Sequence, residues 1–105
     1  MKKYTVAVVG ALGAVGQEMR KVLEQRAFPV GRLLPLDVAE NVGTEIVFRG
    51  EKVRVEESQP EQFRGVDIAL FAVGDAVSKK LAPEAAARGC VVIDNSSAWR
   101  MDEQT

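Results

Sequence analysis

A strand pattern, a glycine turn and a helix pattern follow one another between residues 4 and 26. Residues 6–9 form a continuous apolar run, which is typical of a central parallel strand covered on both faces. Three glycines at three-residue spacing come next: Gly10, Gly13 and Gly16. Apolar residues then recur at the spacing of one helix face, at Val15, Met19, Val22 and Leu23. This order predicts the first strand-helix unit of a doubly wound α/β domain.

Each of the three glycines has a physical role in such a turn. Gly10 allows the tight turn, Gly13 lets backbone N–H groups approach a pyrophosphate, and Gly16 lets the helix pack close to the strand. The helix N-terminus adds unpaired N–H groups and the positive end of the helix dipole. The segment therefore predicts a dinucleotide-binding site. The alternative is a tight turn that binds no ligand.

The composition limits the other function classes. The 105 residues are 47% hydrophobic and 28% charged, with a net charge of −1 and no basic run, so neither nucleic acid nor an anionic membrane is an expected partner. No apolar stretch approaches the roughly 18 residues of a membrane span. The N-terminus lacks a signal-peptide pattern, and a single cysteine cannot form an internal disulfide, so a cytoplasmic location is expected. The chain has no histidine, the usual group for proton transfer near neutral pH.

The middle of the chain predicts a second strand and a hairpin. Residues 32–36 form the strand, and Pro35 within it indicates a sheet edge or a strand end. Residues 45–56 are predicted to form a β-hairpin that replaces the usual crossover helix. A short helical turn is expected over residues 60–64.

The last third of the chain predicts two core strands that flank a helical region. The strands are residues 67–73 and 90–94. Asp75 suits the N-cap of the helical region, and Pro83 is expected to divide it into two short helices. Gly89 suits the residue that follows the second helix.

These elements predict a Rossmann-like, doubly wound, mostly parallel sheet with a β-hairpin insertion after the second strand and with strand order 2-1-3-4. Ligands of such sheets lie at the carboxyl ends of the strands. Four predicted loops converge there: residues 10–16, 37–43, 72–75 and 95–100.

Several polar residues in these loops could bind a ligand. Asp37 lies about where an acidic residue binds a ribose 2′-hydroxyl, and the alternative is that it caps its own loop or faces solvent. Four residues after the last strand can bind a phosphate or carboxylate, or can form an ordinary polar turn; they are Asn95, Ser96, Ser97 and Arg100. Cys90 is expected at the amino end of its strand as a buried structural thiol.

With these residues assembled, the chain resembles the N-terminal part of aspartate-β-semialdehyde dehydrogenase. The matching segments span almost the whole chain: VAVVGALGAVGQEM (6–19), the Phe28-Pro29 turn, GVDIALFAVG (65–74) with Val77-Ser78-Lys79, and VVIDNSSAWRMD (91–102). The resemblance implies the cofactor domain of an enzyme, NADP-dependent with NAD as a second possibility, that reductively dephosphorylates aspartyl phosphate in lysine, threonine and methionine synthesis. It implies a homodimeric or homotetrameric parent with a C-terminal catalytic and dimerisation domain, so that residues 1–105 are the dinucleotide-binding domain alone.

The resemblance also implies the residues that bind. Cofactor contacts fall on Gly10, Ala11, Leu12, Gly13, Ala14, Val15, Asp37, Val38, Asn41, Ala72, Val73, Gly74 and Asn95. Contacts to the phosphate or acyl-phosphate substrate fall on Ser96, Ser97 and Arg100. The cysteine, glutamine, arginine and histidine that act in catalysis in this family match no residue up to 105, so the isolated chain is expected to be inactive.

The chain departs from the family pattern in the glycine loop and in the loop after the second strand. Leu12 stands where threonine is common, and the segment 37–43 replaces an A-S-x-R-S-A-G pattern, with Glu40 where an arginine could bind the 2′-phosphate of NADP. The charges of Asp37 and Glu40 predict weaker discrimination for NADP, unless Arg32 or Arg49 supplies an opposing cation. Two alternatives stay open: a domain of the N-acetyl-γ-glutamyl-phosphate reductase type, and a non-catalytic or redesigned Rossmann scaffold.

Overall fold

Five parallel strands form the central sheet of the computed structural model, which describes residues 3–26 and 28–94. These strands are β1 (Tyr4–Val9), β2 (Val30–Asp37), β5 (Glu56–Glu57), β6 (Ile68–Phe71) and β7 (Val91–Asp94). A separate antiparallel hairpin consists of β3 (Glu45–Phe48) and β4 (Glu51–Arg54). The helices are α1 (Ala14–Gln25) and α2 (Asp75–Ala87), with short 3-10 helices at Ala39–Asn41 and Pro60–Phe63.

The two helices lie on opposite faces of the sheet, which confirms the doubly wound fold. On one face, Leu23 of α1 and Phe48 of the hairpin pack with Val6 and Val8 of β1. On the other face, α2 and the 3-10 helix at Pro60–Phe63 pack against the alternate side chains of the strands. The alternation along β1 separates the two cores, because successive side chains of a strand point to opposite faces.

The strand order is β5-β2-β1-β6-β7, so the predicted order of the four core strands is confirmed. Sequence reasoning missed β5 and wrongly assigned Glu56 to the hairpin, whereas β5 pairs with the last two residues of β2, Leu36 and Asp37. Two residues are too few to show the alternation that identifies a strand. Up to Pro35 the outer side of β2 has no partner strand among the described residues, which agrees with the edge position that this proline indicated.

The apolar face of α1 is buried only in part. Leu23 is buried, but Val15 and Val22 are 37% and 45% exposed. Val91 and Ile93 of β7 are 60% and 44% exposed, and their register with β6 and β1 places them on the same face of the sheet as α1. Helix α1 therefore covers β1 and β2 and leaves this face of β7 open within the described chain.

Helix α2 corrects two predictions. Pro83 does not divide it, because one helix runs from Asp75 to Ala87 with this proline inside. The predicted N-cap is also wrong, since Gly74 holds the cap position and Asp75 begins the helix. Burial of Leu81 and Ala85 against the sheet holds the turns on both sides of the proline in one helix.

The end of α2 has the predicted glycine turn. Gly89 has φ +91°, and its N–H donates to the carbonyl of Ala86 at 3.0 Å while Cys90 N–H donates to that of Ala85 at 3.1 Å. This pair of bonds is the Schellman motif, in which a left-handed residue satisfies the last helical carbonyls. No helix in the described part of the chain is long and apolar enough to cross a membrane.

Replacing Pro83 with alanine is predicted to stabilise the chain. The substitution restores an N–H donor inside α2, and Pro83 is exposed, so little packing is lost. The expected gain is about 2 kcal/mol in the free energy of unfolding, after the greater freedom of the unfolded chain is subtracted. Urea denaturation measures this change.

Pro60→Ala is the matched control, because this proline occupies the first turn of its 3-10 helix, where no N–H donor is needed. Its free energy of unfolding is expected to change little or to fall slightly. A Pro83→Ala variant no more stable than the parent chain would show that the proline does not strain α2.

Candidate functional site

The glycine loop is held between the carboxyl ends of β2 and β6. The N–H groups of Gly10 and Ala11 both donate to the carbonyl of Leu36, at 2.8 and 3.1 Å. Gly10 has φ +82°, and a Cβ at this position would lie 2.6 Å from Val73 Cγ1 and 2.7 Å from the carbonyl oxygen of Ala72. The tight turn predicted at Gly10 therefore requires glycine for both its conformation and its space.

Gly16 and Gly13 differ in the space around them. A Cβ at Gly16 would overlap the carbonyl oxygen of Gly10, so α1 approaches the end of β1 at backbone distance. A Cβ at Gly13 would lie 3.6 Å from the same oxygen, an ordinary contact, and its φ of −72° suits any residue. Gly16 is thus required by helix packing, whereas the space beside Gly13 is open for a ligand.

The first turn of α1 offers donors to an anion. Gly13 is its N-cap and provides no side chain, and the first turn contains no acidic residue. The N–H groups of the first helical residues, Ala14, Val15 and Gly16, have no acceptor within the helix. Unpaired donors and the positive end of the helix dipole together favour a phosphate at this position.

Asp37 connects the end of β2 to the glycine loop. Its Oδ2 accepts a hydrogen bond from Leu12 N–H at 3.0 Å, and its Oδ1 accepts from Val38 N–H at 2.8 Å and from Asn41 Nδ2 at 3.0 Å. Both functions considered for this residue are compatible with the position: it caps its own loop, and it lies directly beside the glycine loop. One N–H of the loop, that of Leu12, is occupied by this carboxylate.

The hydrogen bonds keep Asp37 ionised. Desolvation by burial acts to raise the pKa of Asp37, but the bonds from Leu12, Val38 and Asn41 outweigh it, so the pKa lies below its ordinary value. The cleft beside the glycine loop therefore carries a negative charge at neutral pH.

A cleft of about 470 Å³ opens beside the glycine loop, between the loops that follow β1, β2 and β6. It is lined by Gly10, Asp37, Val38, Ala39, Glu57, Ser58, Gln59, Pro60, Val73, Val77, Lys80 and Leu81. Four predicted cofactor residues meet here, Gly10, Asp37, Val38 and Val73. Asn41 contacts this group through Asp37.

Sequence reasoning missed two walls of the cleft. Residues 57–60 line it because β5 adds to the edge of β2, and Val77, Lys80 and Leu81 line it from α2. The spacing of these three residues, at i, i+3 and i+4 of a helix that follows a core strand, is a signal that could have identified the second wall. The predicted residues Asn95, Ser96, Ser97 and Arg100 lie outside the described residues.

Neither arginine considered as an opposing cation is near the cleft. Arg49 Nη2 donates to the carbonyls of Leu23 and Phe28, both at 2.7 Å, beyond the amino end of β2. Arg32 pairs with Thr5 near the start of β1, five residues before Asp37 on β2, or roughly 17 Å at the rise of a strand. The expectation that one of them could bind a 2′-phosphate is wrong, since both belong to the opposite end of the sheet.

Cys90 has the structural role expected of it. It is 8% exposed, its Sγ donates to the carbonyl of Phe63 at 3.4 Å, and it precedes the amino end of β7. Burial and the negative charge of Asp67 raise the pKa of the thiol, which opposes formation of a nucleophilic thiolate. The described residues also contain no group of three side chains suited to hold a metal ion.

Comparison with known proteins agrees with this geometry. Residues 5–105 match the family model described as semialdehyde dehydrogenase, NAD binding domain. An aspartate-semialdehyde dehydrogenase of Bacillus subtilis is 55% identical over 95% of this chain, which spans 29% of that relative's length.

Solved structures show the same fold. Aspartate semialdehyde dehydrogenase II of Vibrio cholerae, complexed with ASA, is 43% identical with a TM-score of 0.85 over 89% of this chain and 30% of its own. Aspartate semialdehyde dehydrogenase of Candida albicans with NADP is 17% identical with a TM-score of 0.69, over 87% of this chain and 29% of its own, a likeness of fold alone.

Replacing Asp37 with asparagine is predicted to make the free energy of unfolding depend less on pH in the acidic range. A carboxyl group with a lowered pKa in the folded state stabilises the fold above its unfolded pKa of about 4, and the contribution is lost as pH falls through the folded pKa. At pH 7 the variant is expected to be less stable by about 1 kcal/mol, allowing for solvent exposure. The difference from the parent chain should close below about pH 3.

Denaturant titrations between pH 7 and pH 2.5 measure this effect. Glu40→Gln in the same loop is the control, because Glu40 is exposed and has no hydrogen-bond partner among the described residues. A difference between Asp37→Asn and the parent that is the same at every pH would show that the charge of Asp37 does not brace the glycine loop.

Proposed function

Because the chain belongs to the family of semialdehyde dehydrogenase NAD-binding domains, we propose that it binds a nicotinamide dinucleotide as the cofactor domain of an aspartate-semialdehyde dehydrogenase. The geometry of the glycine loop carries the proposal. At Gly16 the helix α1 packs directly against the backbone of the loop, whereas the space beside Gly13 is open. The first N–H groups of α1, which have no acceptor within the helix, lie next to this open space. A tight turn without a ligand does not need open space beside Gly13.

The parts of the dinucleotide are assigned by the chemistry of the residues. The pyrophosphate lies against Gly13 and the first turn of α1, where N–H donors and the helix dipole stabilise its charge. The adenosine enters the cleft, with its ribose beside Asp37 and its base between Val38 and the wall formed by α2. When bound, the nicotinamide supplies hydride transfer, and this chain's residues bind and orient it.

Substrate binding, the oligomeric state and the location of the enzyme are proposed on the resemblance alone. Ser96, Ser97 and Arg100 come after β7 in the sequence, and we assign them to the phosphate of an acyl-phosphate substrate in a homodimeric or homotetrameric cytoplasmic enzyme. The chain has no histidine, and its single thiol is buried at the opposite end of the sheet. We therefore propose that residues 1–105 form a binding domain without dehydrogenase activity of its own.

Gly13→Val is predicted to abolish binding of NAD and NADP and to leave the fold intact. The valine side chain would occupy the space assigned to the pyrophosphate, while its Cβ makes only an ordinary contact with Gly10. Loss of glycine at the N-cap should cost no more than about 1 kcal/mol of stability. Calorimetric titration of both nucleotides, with circular dichroism of the free variant, measures the two effects.

Gly13→Ala is the graded control, since a methyl group fills less of the same space and is expected to weaken binding less than valine does. Unchanged affinity in Gly13→Val would remove the glycine loop from the site. A parent chain that binds neither nucleotide would overturn the proposed function itself.

The charges of the cleft support weaker discrimination for NADP than the family resemblance implies, with NAD as an equal or better ligand. Asp37 stays ionised beside the assigned ribose, and Glu40 is exposed on the 3-10 helix that follows. The 2′-phosphate of NADP would add close to two negative charges at this place. Arg32 and Arg49 are too far away to compensate.

Glu40→Arg is accordingly predicted to raise the affinity for NADP several-fold and to change that for NAD little, with a smaller effect at higher salt. Titrations of both nucleotides at low and moderate ionic strength measure the ratio. Glu51→Arg makes the same charge change at the far end of the hairpin and should leave the ratio unaltered. If the parent already binds NADP at least tenfold more tightly than NAD and Glu40→Arg changes nothing, the charges of Asp37 and Glu40 do not decide the choice of nucleotide.

A further inference from the structure

The wall of the cleft formed by α2 contains a charged residue to which the proposed function assigns no role. Lys80 lies between two apolar neighbours of that wall, Val77 and Leu81. Its side chain is exposed and has no hydrogen-bond or ion-pair partner among the described residues. An ammonium group at the edge of an otherwise apolar helix face is available to a ligand that enters the cleft.

The charges around the cleft make this lysine distinctive. Asp37 and Glu57 are acidic, and Lys80 is the one basic group among the described residues that line the cleft. The carboxylate of Asp37 already accepts three hydrogen bonds from its own loop and from the glycine loop, so it does not depend on Lys80 for a partner. The cation is thus free to meet an anion on the ligand.

Two other basic side chains lie beside the loops that follow β1 and β2. Arg20 Nε donates to the carbonyl of Ala11 at 3.1 Å, which directs it to the loop backbone. The guanidinium of Arg54 lies beside Gly43, where its Nη2 is 3.5 Å from the position of a Cβ, and this residue does not line the cleft. Arg54 is therefore the competing candidate that an experiment must separate from Lys80.

We infer that Lys80 binds the 2′-phosphate of NADP from the α2 side of the cleft and so sets how far this chain accepts NADP despite the charge of Asp37. The inference rests on the proposed nucleotide site. The phosphate would lie between the carboxyl end of β2 and the middle of α2, where an ammonium point charge can pair with it without a fixed geometry. This places the recognition of the 2′-phosphate on a helix, and not in the loop after β2 where Glu40 stands.

The test is calorimetric titration of the chain with 2′,5′-ADP and with 5′-AMP, which differ only in the 2′-phosphate. Lys80→Ala is expected to weaken binding of 2′,5′-ADP about three- to tenfold and that of 5′-AMP less than twofold, with the difference shrinking as salt is added. Lys79→Ala is the matched control, because Lys79 is the neighbouring exposed lysine of α2 and does not line the cleft. It should change neither affinity.

Four results would overturn the inference. Equal losses for both ligands would show that Lys80 holds the adenine or the helix and does not bind the phosphate, and no loss for either would remove it from the site. A selective loss in Arg54→Ala instead would assign the phosphate to that arginine. Binding of 5′-AMP with no measurable binding of 2′,5′-ADP would show that Lys80 does not offset the repulsion between Asp37 and the 2′-phosphate. A chain that binds neither ligand would instead contradict the proposed function, which separates the two failures.

Discussion

The site depends on the backbone contact between Gly16 and Gly10. Any side chain at Gly16 would overlap the carbonyl of Gly10, so the distance between α1 and the end of β1 is set by the absence of a Cβ. That distance brings the first N–H groups of the helix to the carboxyl edge of the sheet, where the loops after β2 and β6 begin. Without it, α1 could still cover the sheet, but its N-terminus would not face the same space as Asp37 and Val73.

Asp37 adds a second constraint to the same loop. Its carboxylate accepts a hydrogen bond from Leu12 N–H, which connects the glycine loop to the end of β2. Because the pKa of Asp37 is lowered, the carboxylate that accepts this bond is also charged at neutral pH. In the proposed nucleotide site, a carboxylate here suits a ribose hydroxyl and opposes a 2′-phosphate. The residue that braces the loop is then also the one proposed to bias the choice of nucleotide. Among the described residues that line the cleft, Lys80 is the one cation, and we propose that it determines how far NADP is accepted.

Elements marked by a pattern that repeats over several residues could be predicted from the sequence. Elements and contacts that depend on residues distant in the sequence could not. The apolar runs identified all four core strands and their order, and the three glycines identified the turn before α1. Pro83 was misleading because packing of Leu81 and Ala85 against the sheet overrides a local helix breaker. The strand β5 was not predicted because its two residues form a strand only by pairing with β2. Arg49 could not be placed because its hydrogen-bond acceptors lie more than twenty residues away in sequence.

We propose that one nucleotide spans the glycine loop and the cleft. Titration of the ¹⁵N-labelled chain with NAD, followed by amide NMR shifts, tests it most directly. The pyrophosphate is expected to shift the amides of Gly13 and Ala14, and the adenosine those of Val38 and Lys80. All four shifts should saturate together with one dissociation constant. Amides at the opposite end of the sheet, such as those of Gly31 and Arg49, should stay unchanged. Shifts confined to residues outside the glycine loop and the cleft, or no saturable shift at all, would show that no nucleotide binds across the two.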